Sequence, residues 1–180
     1  MLKSFLYKII DQRSLQGQRY PLGQILLLSI FAMLCGADSY RKIAELIKLK
    51  YEIFDKYLDL KWKKVPAYTT IRNILNSVSA EELEKAFREY NLELVNSGKS
   101  LENAVIAFDG KVLKGSFDNF KDQKAIQILT AFLVEEQIIL AHKEIPDKTN
   151  EIPAVIELIE ELKITNCIFT ADALHCQKKL

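Results

Sequence analysis

The strongest constraint on how this chain can fold is a change of apolar period at Asn96-Ser97-Gly98. Before that point apolar residues recur every three or four positions. After it they come in short runs rich in Val, Ile and Phe. The first spacing buries one stripe of a helix, and the second builds strands between turns. A chain carrying both in succession is α+β. The expected division is a helical region over residues 1–98 and a sheet-containing region over 99–180.

In the helical region, Pro21 suits a first turn, and Leu22, Ile25, Leu26, Ile30 and Leu34 recur at helical spacing. Gly36 can close that helix. Asp38 or Ser39 caps a second helix through Ile43, Ala44 and Ile47, and Tyr51–Leu58 fits a third. Pro66 then punctuates, and Tyr68–Val78 places Ile71, Ile74, Leu75 and Val78 on one face. Ser79 with Glu82 forms a capping box for a last helix to about Val95.

In the second region, Asn103–Asp109 is a β-type run. Ala125–Val134 and Gln137–Ile145 form a hairpin around Glu135-Glu136. Glu151–Leu162 is an amphipathic helix with Val155, Leu158, Ile159 and Leu162 inward, and Asn166–Ala171 is a final strand. A helix joining two strands of one sheet implies a right-handed crossover and a parallel last strand. Asp109 is expected to end the first strand and Asp172 to follow the last. Parallel neighbours would then deliver both carboxylates to one sheet edge, where ligands gather. Paired carboxylates suit a hard cation such as Mg²⁺, and a two-metal site can activate a water or a 3′-hydroxyl for in-line displacement. An Asp after a strand more often only caps the next turn.

Charge and cysteine content narrow the class. Residues 1–100 hold 16 Lys and Arg against 11 Asp and Glu, and residues 101–180 hold 9 against 13. A basic front suits a polyanion and an acidic back suits a cation, although solvated faces produce such mild excesses too. Cys35, Cys167 and Cys176 include no C-x-x-C pair. Cys35 and Cys167 sit in apolar runs, which reads as buried, reduced thiols of a cytoplasmic protein. The apolar run Ile25–Cys35 is too short to span a bilayer, which takes roughly 20 residues. His175 and Cys176 have no second ligand pair at zinc spacing. No nucleophile motif of a hydrolase is present.

Three segments carry a resemblance. They are Asp109-Gly110-Lys111-Val112-Leu113-Lys114-Gly115-Ser116, Lys148-Thr149-Asn150-Glu151-Ile152-Pro153, and Thr170-Ala171-Asp172-Ala173-Leu174-His175-Cys176-Gln177. In order and separation they resemble the H-repeat-associated (ISAs-type) insertion-sequence transposases of the DDE superfamily. The front half is similar to the transposase-associated region of the same family through Asp11-Gln12-Arg13, Leu34-Cys35-Gly36-Ala37 and Val65-Pro66-Ala67-Tyr68-Thr69-Thr70-Ile71-Arg72. Ala67 stands where that pattern usually has Ser.

The resemblance implies an RNase H-like mixed sheet and a metal-dependent DNA transposase. It makes Asp109 and Asp172 the first and second catalytic, metal-binding acids, with Mg²⁺ or Mn²⁺ as the ion. The third acid, a Glu well beyond the second Asp, has no counterpart before Leu180, so a C-terminally truncated domain is expected. Lys111 and Lys114, with Lys121 and Lys124, either neutralise DNA phosphates or form a solvated basic loop. Thr69, Thr70, Arg72 and Asn73 either face DNA from a recognition helix over Tyr68–Ser77 or belong to a packing helix. Arg41, Lys42, Lys61, Lys63 and Lys64 would add phosphate contacts. Expected partners are transposon-end DNA and either a second copy or a full-length transposase, with no membrane, in the nucleoid-associated cytoplasm. Two functions follow from these features: DNA cleavage and strand transfer, or DNA binding by a catalytically inactive remnant.

Overall fold

The computed structural model describes residues 2–96, 101–113, 116, 125–145 and 151–171, in two compact units, Met1–Ala86 and Phe87–Leu180. The first unit is helical: α1 (Leu2–Leu6), a 3-10 turn (Leu15–Gln18), α2 (Leu22–Leu34), α3 (Tyr40–Leu49), α4 (Tyr51–Leu58), α5 (Tyr68–Asn76) and the start of α6 (Ala80–Asn96). α2 is its centre and packs on α1, α3 and α5. Every residue from Leu22 to Ser29 is buried, as expected of a helix apolar on all sides. Ile25, Leu28, Ile47 and Ile71 are fully enclosed. Each such side chain contributes about 1.5–3 kcal/mol.

Local chemistry sets the helix ends. Gly36, at φ +89, leaves α2 in a left-handed cap. Its N–H donates to Met33 O at 2.9 Å, and Ala37 N–H donates to Ala32 O at 2.9 Å. These two bonds satisfy carbonyls that have no partner within the helix. Ser39 Oγ accepts from Lys42 N–H at the start of α3, and Ser79 Oγ accepts from Glu82 N–H at the start of α6. Upstream, Arg13 fastens the 3-10 turn. It holds Asp11 through Nε at 2.8 Å and a second nitrogen at 2.6 Å, and it also donates to Gly17 O and Tyr20 O.

Cys35 corrects one expectation. It is the C-cap of α2 and is exposed, whereas Cys167 is half-buried. The apolar run containing Cys35 continues past the point where the helix leaves the core.

The second unit contains the rest of α6, β1 (Val105–Val112), β2 (Gln127–Leu133), β3 (Ile138–Ile145), α7 (Glu151–Leu162) and β4 (Ile168–Ala171). The sheet order is β3-β2-β1-β4. β1, β2 and β3 are antiparallel in sequence, and β4 pairs parallel with β1. This is the expected order of strand, hairpin, helix and parallel strand. Ile106, Phe108, Leu129, Leu133 and Leu140 form a core with Val155, Leu158 and Leu162 of α7.

β3 is an edge strand, and α6 side chains occupy its free carbonyls. Asn91 Nδ2 donates to Ile139 O at 2.8 Å, and Arg88 donates to His142 O at 2.8 Å. Arg88 also pairs with Glu161 of α7 at 2.5 Å. Lys143 of β3 lies 2.6 Å from Glu161 and 2.8 Å from Glu157. Burial disfavours the Lys143 charge, but the two carboxylates outweigh it and raise its pKa. Such coverage protects an edge from pairing with another strand. No described helix is long and apolar enough to cross a membrane.

Candidate functional site

β1 positions the first acid. Ile106 and Phe108 point into the core, so by strand alternation Ala107, Asp109 and Lys111 share the other face. Asp109 is exposed, and its carboxylate lies 3.1 Å from Lys111 Nζ, two residues on along the same face. The strand does not end at Asp109 as the sequence suggested. It continues to Val112 because Gly110, Lys111 and Val112 pair with Leu129, Ile128 and Gln127 of β2. The acid therefore stands within a ladder, which fixes its backbone on one side.

The parallel pair β1–β4 sets the strand residues that precede the two expected acids in register. Phe108 pairs with Ala171, and Ala107 with Thr170. Phe108 immediately precedes Asp109 in sequence, and Ala171 immediately precedes Asp172. Asp172 itself lies outside the described residues, as do Lys114, Lys121, Lys124, His175 and Cys176. Among the described residues no group of three or more His, Cys, Asp or Glu could hold a metal ion. Asp109 offers a solvent-facing carboxylate, a hard oxygen donor of the kind Mg²⁺ and Mn²⁺ take.

The ladder also brings in two residues that sequence reasoning passed over as site members. Asp109 pairs with Thr130, and Thr130 pairs with His142. Residues directly opposite in a sheet project to the same side. Asp109, Thr130 and His142 thus form one polar row across three strands. The His142 ring packs on Phe87 at 5.1 Å between centroids. The only sequence sign of this row is the presence of polar residues at one phase of an apolar alternation.

In the helical unit, Thr69, Arg72 and Asn73 are exposed on α5, opposite the buried Ile71 and Ile74. Thr70 was expected to be exposed and is half-buried, because it lies next to Ile71 at the margin of the packed face. The α5 surface continues onto α3. The Arg41 guanidinium sits 5.0 Å from the Tyr68 ring centre, and Tyr40 and Asn76 are joined through their side chains at 3.3 Å. Lys42 is exposed and paired with Asp38.

The loop between α4 and α5 carries Lys61, Lys63 and Lys64 outward around a buried Trp62. Trp62 Nε1 donates to Gln24 Oε1 at 2.8 Å, and the Tyr20 ring meets the indole edge-on at 5.2 Å. The Tyr51 hydroxyl donates to Trp62 O and the Tyr20 hydroxyl to Lys64 O. The three lysines therefore ride on an anchored loop.

The family described as DDE_Tnp_1-associated matches residues 3–91. The chain is 31% identical over 179 residues to "Putative transposase YncI" of Escherichia coli O157:H7, covering 99% of this chain and 45% of that protein. It is 32% identical over 166 residues to "Putative transposase YncI" of Escherichia coli (strain K12), covering 92% and 65%. It is 29% identical over 172 residues to "H repeat-associated putative transposase YhhI" of the same strain, covering 96% and 44%. The chain spans about half the length of the curated relatives it matches. No solved structure matches it.

Proposed function

Because the chain belongs to the family of the H repeat-associated transposases, we propose that it takes part in DNA transposition, with Asp109 and Asp172 as two acids of a DDE-type phosphodiester-cleaving site. The observation that supports this reading best is the parallel pairing of Phe108 with Ala171, the residues that precede the two acids. Asp109 and Asp172 would hold Mg²⁺ or Mn²⁺. When bound, such an ion neutralises phosphate oxygens and favours attack by a water or a 3′-hydroxyl.

The chain's own residues supply position and charge. β1 holds Asp109 through its pairing with Thr130 of β2, so the backbone that carries its carboxylate is fixed on that side before a ligand arrives. Lys111 balances the Asp109 charge in the absence of DNA and is free to pair with a phosphate when the carboxylate is otherwise engaged. Lys114 extends the same basic stretch in sequence. In the helical unit, α5 would enter the major groove with Thr69, Arg72 and Asn73 toward base edges and Thr70 at the margin. Arg41, Lys42, Lys61, Lys63 and Lys64 would contact phosphates and set register.

Cleavage of insertion-sequence terminal-repeat DNA tests this reading and separates it from that of an inactive DNA-binding protein. Nicking that requires Mg²⁺ or Mn²⁺ and is lost in Asp109→Ala and Asp172→Ala supports the proposed site. Salt-dependent binding with no nicking under any divalent cation supports the DNA-binding reading instead. Arg72→Ala is expected to relax sequence preference. Lys63→Ala is expected to weaken binding to all sequences alike and to reduce the salt slope by about one.

A further inference from the structure

α4 buries none of its eight residues fully. At 100° per residue, its apolar side chains Ile53, Tyr57, Phe54, Leu58 and Tyr51 form one continuous arc. Tyr51, Phe54 and Leu58 pack against the helical core. The remainder of the arc is left open, with Tyr57 75% and Ile53 52% exposed. The open side continues onto the end of α2. The Phe31 ring meets Phe54 at 6.2 Å, and Phe31 (49% exposed) is followed one turn later by Leu34 (80% exposed).

At roughly 150–250 Å² for a large side chain, these fractions leave on the order of 500 Å² of apolar surface. A patch of that size matches the largest that monomers usually expose, and such patches are often functional. Doubled by a two-fold axis it reaches the ~1,000 Å² that a specific interface needs.

We propose that the face formed by Phe31, Leu34, Ile53 and Tyr57 is the homodimer contact of this chain. Its charged border favours a second copy over an unrelated partner. Glu52 and Lys56 lie one turn apart on α4, beside Ile53 on the side away from the core. A two-fold axis crossing α4 near residue 55 sets Ile53 of one copy against Tyr57 of the other. It brings Glu52 toward Lys56 in both directions. An isologous contact demands such self-complementarity, in which each residue and its counterpart exchange roles across the axis. Lys56 also lies over the Tyr57 ring, 5.8 Å from its centre, so the cation borders the apolar face directly.

Sedimentation equilibrium of the full 180-residue chain tests this. The expected species at tens of micromolar has twice the 20.7 kDa chain mass. Ile53→Lys should raise the dimer Kd at least tenfold without changing the far-UV circular dichroism, since Ile53 is half exposed. Glu52→Lys and Lys56→Glu should each weaken the dimer severalfold, and the double exchange should restore it. A monomer at all concentrations overturns the proposal. So does a dimer indifferent to Ile53→Lys, which would place the contact elsewhere, for example on the β4 edge. Failure of the double exchange to rescue overturns the two-fold register.

Discussion

Asn91→Ala removes a donor from the covered edge of the sheet. Asn91 is 4% exposed, and its Nδ2 donates to the Ile139 carbonyl at 2.8 Å. Among the described residues β3 has a strand neighbour only on its β2 side, and this carbonyl takes its hydrogen bond from α6. Leaving such a group unsatisfied costs about 1–3 kcal/mol. The small volume lost from Asn to Ala adds little, so about 2 kcal/mol is expected. With a urea slope of about 1–3 kcal/mol/M, the midpoint should fall by roughly 1 M.

The effect should be local. Hydrogen exchange read by mass spectrometry should accelerate in Ile138–Ile145 and in the last turns of α6. Asn91→Asp should be worse, because it turns an acceptor and a buried charge toward the same carbonyl. A midpoint unchanged within about 0.2 M, with unaltered exchange in β3, would refute the claim that α6 protects this edge.

Gly23→Ala should destabilise although Ala is the better helix former by about 1 kcal/mol. A Cβ there would stand 2.5 Å from Tyr7 Cδ2 and 2.9 Å from its Cγ. Overpacking of this kind costs about 1–3 kcal/mol, and thermal melting should show a net loss. Ser29→Ala should stabilise by about 1 kcal/mol, because the buried Ser29 hydroxyl has no hydrogen-bond partner among the described residues. A lower urea midpoint would contradict that. Asp11 has its pKa lowered, first by its hydrogen bonds from Arg13. A carboxyl whose folded pKa is depressed contributes stability above its unfolded pKa of about 3.9, and that stability is lost as pH falls through the folded value. Urea midpoints should therefore drop less between pH 6 and pH 3 in Asp11→Asn than in the wild type.

The elements legible in the sequence are those with local causes. Ser39, Ser79 and Gly36 act on backbone groups within four residues, and each caps the helix it was expected to cap. α4 and α7 match because their apolar stripes are unbroken. The extension of β1 past Asp109 was not legible, since it depends on the register with β2, set by residues some twenty positions away. The same nonlocality hid the Asp109–Thr130–His142 row and the capping of β3 by Arg88 and Asn91. The exposure of Cys35 and the half-burial of Thr70 are matters of where a helix leaves the core, and a periodic pattern carries no information on that. For the candidate site, Asp109 is singled out by its motif, whereas the residues beside it in the sheet, Thr130 and His142, became visible only from the strand register.

Asp109 and Asp172 are proposed to form one cation site beside the β1–β4 pair. Titration of the chain with Mn²⁺, followed by NMR line broadening of backbone amides, tests it most directly. Broadening confined to Phe108–Lys111 and Thr170–Ala171 and the residues next to them is the expected result. Asp109→Asn and Asp172→Asn should each abolish it. Broadening centred elsewhere, or broadening that survives either substitution, would contradict the assignment.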